Sequence, residues 1–353
     1  MLNLKHNTKI KLSQEEYKNY SKQIILENIG IQGQKKLKNA KVLIIGAGGL
    51  GCPAIIYLAT SGIGYIGLID GDKIENSNLN RQILYSTNDI KNFKVNSAKK
   101  KIQMINNNCT IIKHQYNLNT ENSIEVISYY DIIIDTTDNF KTRYIIDKIC
   151  YQLHKTYIYG AIDNFEGQVV PFNYKNGIRY NNVYNKNLLL TNNNCNRNGV
   201  MGIAVGYIGI LQAIETIKII LGLEKRCKNF LLIHNTLKIN NKKRKVYLKR
   251  DQKNKINNFK LNNILLKNEL RIIKNNFIII DLRTKIDFNI RHIKKSINIP
   301  IKEFKLNKTL KLIKYYITNS SLILYCNTLE RSIIASYFLK NNNILHYILH
   351  PTK

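Results

Sequence analysis

A glycine-rich loop between a strand-like and a helix-like segment constrains the fold of this chain more than any other feature. Residues 41–51 read KVLIIGAGGLG, in which an apolar run leads directly into G-x-G-x-x-G. Glycines in this pattern allow a sharp turn, and the N-terminus of the following helix attracts phosphate groups. The glycines of the loop are Gly46, Gly48, Gly49 and Gly51. The loop predicts a nucleotide site but does not distinguish a mononucleotide from a dinucleotide.

Short apolar runs alternate with amphipathic stretches from residue 41 to about residue 172. The runs VLIIG, YIGLID, DIIIDTTDN and TYIYGAI are typical of strands, and GCPAIIYLATSG, KVNSAKKKIQMIN and KTRYIIDKICYQL are typical of helices. This alternation predicts an α/β fold with a Rossmann-like, doubly wound parallel sheet and a ligand crevice at the carboxyl ends of its strands. Two further strands, LLIHNTLKI and KVYLKR, are expected to close the first domain near Arg250.

Composition then divides the chain. Residues 251–263, DQKNKINNFKLNN, are polar and without periodicity, which predicts a linker. Apolar alternation resumes in NFIIIDLR, HIKKSINIPI and SLILYCN. We therefore expect a first domain over residues 1–250 and a second, smaller α/β domain over residues 264–353. The asparagine-rich run 181–198 predicts a long loop within the first domain.

Charge, cysteine usage and hydropathy exclude several classes of protein. The net charge of +32 would suit an acidic partner, but Lys and Asn are abundant everywhere and Trp is absent, as in an AT-rich genome, so nucleic-acid binding is not expected. The six cysteines form no CxxC pair, which argues against zinc and against a disulfide framework. Residues 200–223 are long enough to cross a bilayer, yet Gln212, Glu215 and Lys218 would be costly in lipid, so a buried core helix is expected.

Polar residues after the predicted strands favour ATP over a nicotinamide cofactor. Asp70 ends the second strand, where a carboxylate can accept hydrogen bonds from ribose hydroxyls. A turn-forming role in IDGD is the alternative for Asp72 and, to a lesser degree, for Asp70. The next connection carries Asn78, Arg81 and Lys94. Because a triphosphate about to be cleaved needs its charge neutralised, these cations indicate ATP.

Asp138 follows the strand DIIIDTTDN and is suited to magnesium, which prefers hard carboxylate oxygens. An alternative role for the same residue is to cap the helix that begins near Phe140. The two roles are compatible, and the sequence leaves both open.

Residues from about Ser13 to Arg250 resemble the MoeB/ThiF/ubiquitin-activating adenylyltransferases. The motifs that carry this resemblance, in the order of the family, are YSKQIIL, GAGGLGCP, SNLNRQ, FKVNSA, DTTDN and NNCNRNGVMG. The resemblance implies that ATP lies over Gly49 and Asp70 and that Asp138 coordinates magnesium. The nucleotide-binding residues that it implies are Lys22, Gly46, Gly48, Gly49, Gly51, Asp70, Asn78, Arg81, Lys94, Asp138 and Asn139.

The resemblance also implies a reaction and its partners. The C-terminal glycine carboxylate of a ubiquitin-like sulfur carrier attacks the α-phosphate of ATP, and the enzyme is a homodimer in which Lys22, an arginine in the family, reaches the partner's nucleotide. Arg81 and Asp138 are then catalytic. Cys195 stands where relatives of the sulfurtransferase-fused type carry a cysteine that bonds transiently to the carrier. Arg197 beside it would favour the reactive thiolate.

The chain departs from this family at its zinc site. Relatives carry two CxxC pairs, but the matching stretches here are GIRYNNVY and LKRDQKNKI, which contain no cysteine. Because all four ligands of one tetrahedral site are missing together, zinc is not expected. Apolar and aromatic packing is expected to hold the two segments instead.

The second domain resembles rhodanese-like domains through IIIDLR, RHIKKSINIPI and LILYCNTLERSIIASYFL. Its cysteine loop runs from Cys326 to Ser332, and a helix N-terminus behind it would favour a thiolate or persulfide at Cys326. Leu329 replaces a usual glycine, and the final Gly-Gly turn and helix of the family are absent from the sequence. The resemblance therefore implies a shortened domain with weakened sulfurtransferase activity. The sulfur donor that it implies is a cysteine desulfurase or thiosulfate.

Several assignments stay open at this stage. The carrier serves molybdopterin, thiamine or tRNA thiolation, and the fusion favours molybdopterin or tRNA sulfur transfer. The rival functions are an NAD(P)-dependent oxidoreductase and a non-catalytic RNA-binding module. The composition and the absence of a signal or transit-peptide pattern favour a plastid stroma if the chain is organelle-encoded, and otherwise a bacterial cytoplasm.

Overall fold

The computed structural model describes most of the chain. The described residues are 10–184, 199–223, 229–238, 240–246, 264–265, 277–301, 303, 307–317, 320–327, 329–340 and 342–349. The chain divides into two compact units, with the main boundary between Arg250 and Asp251. The predictions made for Cys195, Arg197 and the linker at 251–263 lie outside the described residues.

The first unit is built on an eight-stranded sheet in the order β3-β2-β1-β4-β5-β6-β7-β8. Its strands are β1 Lys41–Ile45, β2 Tyr65–Ile69, β3 Thr110–His114, β4 Ile132–Asp135, β5 Thr156–Asp163, β6 Glu166–Phe172, β7 Phe230–Asn235 and β8 Asn240–Lys245. In this spatial order, the five strands from β3 to β5 are parallel to one another, and the pairs β5–β6, β6–β7 and β7–β8 are antiparallel.

Helices cover both faces of this sheet. They are α1 Gln14–Asn19, α2 Ser21–Ile24, α3 Gly30–Asn39, α4 Gly51–Thr60, α5 Lys94–Ile105, α6 Ser123–Ser128, α7 Phe140–Gln152, α8 Tyr180–Val183 and α9 Gly202–Leu221. Side chains alternate between faces along a strand, so Val42 and Ile44 enter the core beneath α4, α5 and α9, whereas Leu43 and Ile45 enter the core beneath α6 and α7. The predicted doubly wound α/β architecture is confirmed.

One strand of the sheet was not predicted. KVYLKR was expected to pair after LLIHNTLKI, but β8 is the preceding segment, NNKKRK, and the described chain continues only to Val246. Every residue of β8 is exposed. A strand that is exposed on both faces shows no apolar periodicity, so the search for apolar residues did not find β8.

Helix α9 has the length and composition of a membrane span, yet more than half of its apolar window is buried inside the first unit. It packs against α4 and against β5 and β6. Gln212, the polar residue at its centre, is completely buried and donates to the carbonyl oxygens of Asp135 (2.7 Å) and Ile158 (3.1 Å). The helix therefore occupies the position of the predicted core helix.

The second unit contains a five-stranded parallel sheet in the order β11-β10-β12-β13-β9. Its strands are β9 Ile264–Leu265, β10 Phe277–Asp281, β11 Ile297–Asn298, β12 Ser321–Tyr325 and β13 Tyr347–Leu349, and its helices are α10 Lys285–Ile290, α11 Asn307–Ile317 and α12 Leu329–Lys340. This unit is the second, smaller α/β unit that the sequence predicted.

Candidate nucleotide-binding site

A cleft of about 770 Å³ opens at the carboxyl ends of the parallel strands of the first unit. From β1 the chain adds β2 and then β3 on one side of β1. It then crosses over and adds β4 on the other side of β1. Strands β1 and β4 therefore flank the topological switch point, where α/β sheets bind ligands. The predicted residues that line the cleft are Gly46, Gly48, Gly49, Asp70, Asn78, Arg81, Lys94, Asp138 and Asn139.

Other predicted residues lie elsewhere. Gly51 is buried under the loop rather than in the cleft wall, and Lys22 is exposed on α2. Cys326 belongs to the second unit. The roles assigned to all of these residues stay predictions.

The glycine loop is shaped by close contacts at Gly46 and Gly51. Gly46 has φ +101°, in the left-handed region that favours glycine. A Cβ on Gly51 would lie 2.2 Å from the carbonyl oxygen of Gly46. The hydroxyl of Thr136, which follows β4, lies 2.8 and 2.6 Å from the carbonyl oxygens of Ile45 and Gly46. The loop is thereby joined to the strand on the other side of the switch point.

Asp70 lies at the carboxyl end of β2 and is almost completely buried. Its carboxylate accepts hydrogen bonds from the backbone N–H groups of Ala47 and Asp72, both at 2.8 Å. Burial raises the pKa of the Asp70 carboxyl, and the charge of nearby Lys94 opposes the rise. The carboxylate is thus fixed to the glycine loop in the position expected for a ribose ligand.

Two of the predicted cations in the cleft, Lys94 and Arg81, already have protein partners. Lys94 begins α5, and its Nζ lies 2.9 Å from Oδ2 of Asp72. Arg81 donates from Nη1 to the carbonyl oxygen of Ser77 (2.7 Å) and to Oδ1 of Asn80 (3.0 Å). Both cations are therefore held in place without a ligand.

The segment after β4 places an exposed carboxylate at the cleft. Asp138 is exposed, and the next residue, Asn139, caps α7 by accepting from the N–H of Thr142 at 2.9 Å. The capping role considered for Asp138 is therefore filled by Asn139, which leaves the carboxylate of Asp138 available to a cation. Within the described part of the chain, no three His, Cys, Asp or Glu side chains group together as ligands of a single metal ion.

Arg143 is a cleft residue that sequence reasoning missed. It is only 3% exposed, donates to the carbonyl oxygen of Thr137 at 2.6 Å, and lies over the rings of Phe140 and Tyr159. Its charge opposes the rise that burial causes in the pKa of Asp135. The spacing that would have found Arg143 is D-N-x-x-x-R, which puts a cation one helical turn after the N-cap.

Gln82 is a second missed residue. It directly follows Arg81, is 4% exposed and lines the cleft, and its Oε1 has no hydrogen-bond partner in the described structure. A buried amide oxygen without a partner costs free energy unless a ligand or water satisfies it. Its position beside Gly48 therefore supports a ligand site at this loop.

The first of the two segments in which the sequence predicted packing without zinc is held by aromatic and ionic contacts. Tyr180 is completely buried, and its ring packs at a tilt against that of Tyr184 with a centroid distance of 4.7 Å. Asp147 of α7 accepts from Tyr180 N (2.9 Å), from the hydroxyl of Tyr157 (2.9 Å) and from Arg179 (3.0 Å). The predicted aromatic packing is present in this segment, together with an ion pair that was not expected. The second aligned segment, residues 248–256, lies outside the described residues.

Cys326 follows β12 directly and is completely buried, and α12 begins three residues later. Ser332 is buried near the start of the same helix, and its Oγ has no hydrogen-bond partner in the described structure. The other described cysteines are also buried, and burial raises the pKa of Cys52 and of Cys109 to about 12. These two thiols are therefore structural.

Comparison with known proteins agrees with this architecture. Residues 20–256 match the ThiF family, and residues 266–349 match the rhodanese-like domain. A probable molybdopterin-synthase adenylyltransferase of Gracilaria tenuistipitata var. liui is 42% identical over 352 residues, which cover 97% of this chain and 98% of that protein. The adenylyltransferase and sulfurtransferase MOCS3 of Culex quinquefasciatus is 44% identical over 213 residues, covering 60% of this chain and 49% of that protein.

Solved structures give the same result. E. coli MccB with ATP matches with a TM-score of 0.55 and 27% identity, over 65% of this chain and 71% of MccB. PaaA matches with a TM-score of 0.58 and 26% identity, over 68% of this chain and 77% of PaaA. The chain belongs to the ThiF family of adenylyltransferases and carries a rhodanese-like domain after its ThiF domain.

Proposed function

We propose that this enzyme uses ATP to adenylylate the C-terminal glycine of a ubiquitin-like sulfur-carrier protein, preparing it to become a thiocarboxylate. The observation that carries the proposal is the convergence of Asp70, Arg81, Lys94 and Asp138 on one cleft beside the glycine loop. The names of full-length relatives favour the carrier of molybdopterin synthase. Carriers for thiamine synthesis or tRNA thiolation are the alternatives.

The residues of the cleft fit a nucleotide triphosphate. The buried carboxylate of Asp70 is placed to accept from ribose hydroxyls, and the backbone of the glycine loop approaches the phosphates. Lys94 and Arg81 supply two positive charges, and Asn78 supplies an amide next to them. These groups neutralise the charge that shifts to pyrophosphate as the bond breaks.

Asp138 also fits a magnesium ion, because an exposed carboxylate beside a phosphate site is a hard ligand of the kind that magnesium prefers. Magnesium, when bound, would neutralise phosphate charge. Asp138 would hold the ion from the protein side, and the amide of Asn139 would remain with its helix cap.

The reaction needs no general base in the protein. The carrier's terminal carboxylate is ionised at neutral pH, with an ordinary pKa of about 3.5, and attacks the α-phosphorus as it stands. A bond forms between carboxylate oxygen and phosphorus, and pyrophosphate leaves. The work of the protein is to position the two reactants and to stabilise charge.

Sulfur delivery is assigned to the second unit. Cys326 at the start of the loop before α12 would carry a persulfide, filled from a cysteine desulfurase or from thiosulfate, and Cys195 would bond transiently to the carrier. We also propose the domain boundaries 1–250 and 264–353, a zinc-free fold, and a homodimer in which Lys22 reaches the partner's nucleotide. The related proteins of the red algae Gracilaria, Porphyra and Pyropia support a plastid location.

The test is carrier-dependent exchange of labelled pyrophosphate into ATP, measured with a carrier of each of the three pathways. Exchange with one carrier is expected. ATP should also bind, and NADH should not displace it. Lys94→Ala should lower the exchange rate by about 100-fold, as loss of a charge-stabilising donor does, whereas Lys100→Ala, an exposed lysine on the same helix, should not. An absence of exchange with all three carriers would refute the proposed reaction.

A further inference from the structure

We propose that Asp72 is a built-in counter-ion of Lys94 that competes with nucleotide phosphates for this cation. The carboxylate of Asp72 would hold the ammonium group while the cleft is empty and yield it to an incoming triphosphate. It would thereby set the affinity for ATP and promote the release of pyrophosphate. This inference rests on the proposed function of the cleft as an ATP site.

The ion pair is asymmetric in its exposure. Nζ of Lys94 lies 2.9 Å from Oδ2 of Asp72, and both residues line the cleft. The side chain of Lys94 is 8% exposed, whereas that of Asp72 is 62% exposed. A buried ammonium group needs a partner, but an exposed carboxylate can turn into water at little cost. Lys94 is therefore the fixed member of the pair, and Asp72 is the member that can be exchanged.

The position of Lys94 does not depend on the carboxylate of Asp72. The chain around Asp72 pairs with the chain before α5, since the N–H of Lys94 donates to the carbonyl oxygen of Asp72 at 3.0 Å. The N–H of Ile74 donates to the carbonyl oxygen of Asn92 at 2.9 Å, and Lys73 pairs with Phe93 in an antiparallel bridge. These backbone contacts would survive the replacement of Asp72 by asparagine.

Asp72 is also connected to the nucleotide site on its other side. Its N–H donates to Oδ1 of Asp70 at 2.8 Å, so the turn that presents Asp72 is fixed to the expected ribose ligand. A phosphate group near Lys94 would meet the carboxylate of Asp72 on the same ammonium group. The two anions repel each other, so binding of the phosphate and pairing of Asp72 oppose one another.

The decisive variant is Asp72→Asn, which removes the charge and keeps the shape. Binding of adenosine, AMP, ADP and ATP is measured by calorimetry on the full chain, first in metal-free buffer and then with magnesium. The affinity for ATP is expected to increase about fivefold, the size expected for one like charge at contact in a solvated site. The increase should be smaller for ADP and absent for adenosine, and pyrophosphate should become a stronger product inhibitor.

Two further variants define the cause. Glu121→Gln removes an exposed carboxylate outside the cleft, so it should leave all four affinities unchanged and serves as the control for net charge. In a Lys94→Gln background, Asp72→Asn should produce a smaller gain for ATP, because the pair is already broken.

Unchanged or weaker ATP binding in Asp72→Asn would overturn the proposal. Weaker binding only with magnesium would identify Asp72 as a metal ligand instead, and equal loss for all four ligands would identify it as a purely structural residue. If the unmodified protein binds no ATP in this assay, the proposed function itself fails, and that outcome is distinct from a failure of the counter-ion.

Discussion

The contacts of the glycine loop predict opposite outcomes for two neighbouring alanine substitutions. A Cβ added to Gly51 would lie 2.2 Å from the carbonyl oxygen of Gly46, whereas a Cβ added to Gly48 would meet nothing closer than Nε2 of Gln82 at 3.8 Å. Neither glycine has a φ in the left-handed region, so backbone strain does not separate them. The difference between the two variants is therefore steric.

The magnitude follows from the backbone that would have to move. The 2.2 Å distance is roughly 1 Å shorter than an ordinary contact, and the atom that is met belongs to the backbone. The Gly46 carbonyl is also held by the hydroxyl of Thr136 at 2.6 Å. Overpacking of this kind costs about 1–3 kcal/mol, and we expect the upper half of that range for Gly51→Ala. Gly48→Ala should stay within about 1 kcal/mol of the unmodified protein.

Urea denaturation followed by far-UV circular dichroism measures these free energies of unfolding, with the two units fitted as separate transitions. Only the transition of the first unit should shift in Gly51→Ala. ATP affinity, measured in parallel, should fall in Gly48→Ala because the new methyl group faces the cleft, so this variant loses binding while it keeps its stability. Equal stabilities of the two variants, or a larger loss in Gly48→Ala, would show that contact with Gly46 does not determine the need for glycine.

Three further outcomes are expected. Asp147→Asn should lower the free energy of unfolding of the first unit by about 2–4 kcal/mol in urea denaturation, because it leaves the buried end of a partly exposed pair with Arg179 without its charge and weakens a buried hydrogen bond from Tyr157. Burial lowers the pKa of His346 below 6.5. Since the unfolded chain then binds the proton more strongly, the second unit should lose stability as the pH falls below 6.5, and urea denaturation of His346→Asn at several pH values should show a weaker dependence. Cys326→Ala should abolish persulfide formation from thiosulfate, detected by alkylation and mass spectrometry, and leave ATP–pyrophosphate exchange unchanged.

Local pattern was sufficient to predict the central part of the fold. VLIIG, YIGLI and DIIID are buried on both faces, so they read as continuous apolar runs, and each is a strand of the parallel sheet. The antiparallel edge was harder to predict, because β8 contains no apolar residue. The apolar pattern of β7 predicts β7 itself but does not indicate which segment pairs with it. Burial requires apolar residues, and these are what identify a strand in the sequence. A strand with no buried residue therefore cannot be identified in this way.

The site was predictable to the extent that its residues follow strands directly. Asp70 and the glycine loop come immediately after β2 and β1, and a parallel sheet brings such positions to one edge whatever the loops do. Arg143 was missed because it lies inside a helix, where an arginine is usually a solvated surface residue. The spacing D-N-x-x-x-R places Arg143 near the carbonyl of Thr137, but its contact with the ring of Tyr159 comes from the next strand and is a tertiary contact.

For a related reason, the ion pair between Lys94 and Asp72 in the cleft could not be predicted from the sequence. Lys94 was predicted as a site residue from its position and lines the cleft, but its partner comes from a turn 22 residues earlier, through backbone pairing between two irregular segments. Position therefore predicts which charges reach the cleft, whereas the tertiary contacts decide which of them are already neutralised. Since a phosphate responds to the net charge that remains, the proposed phosphate affinity of the cleft depends on Asp72 as well as on the lysine that the motif identifies.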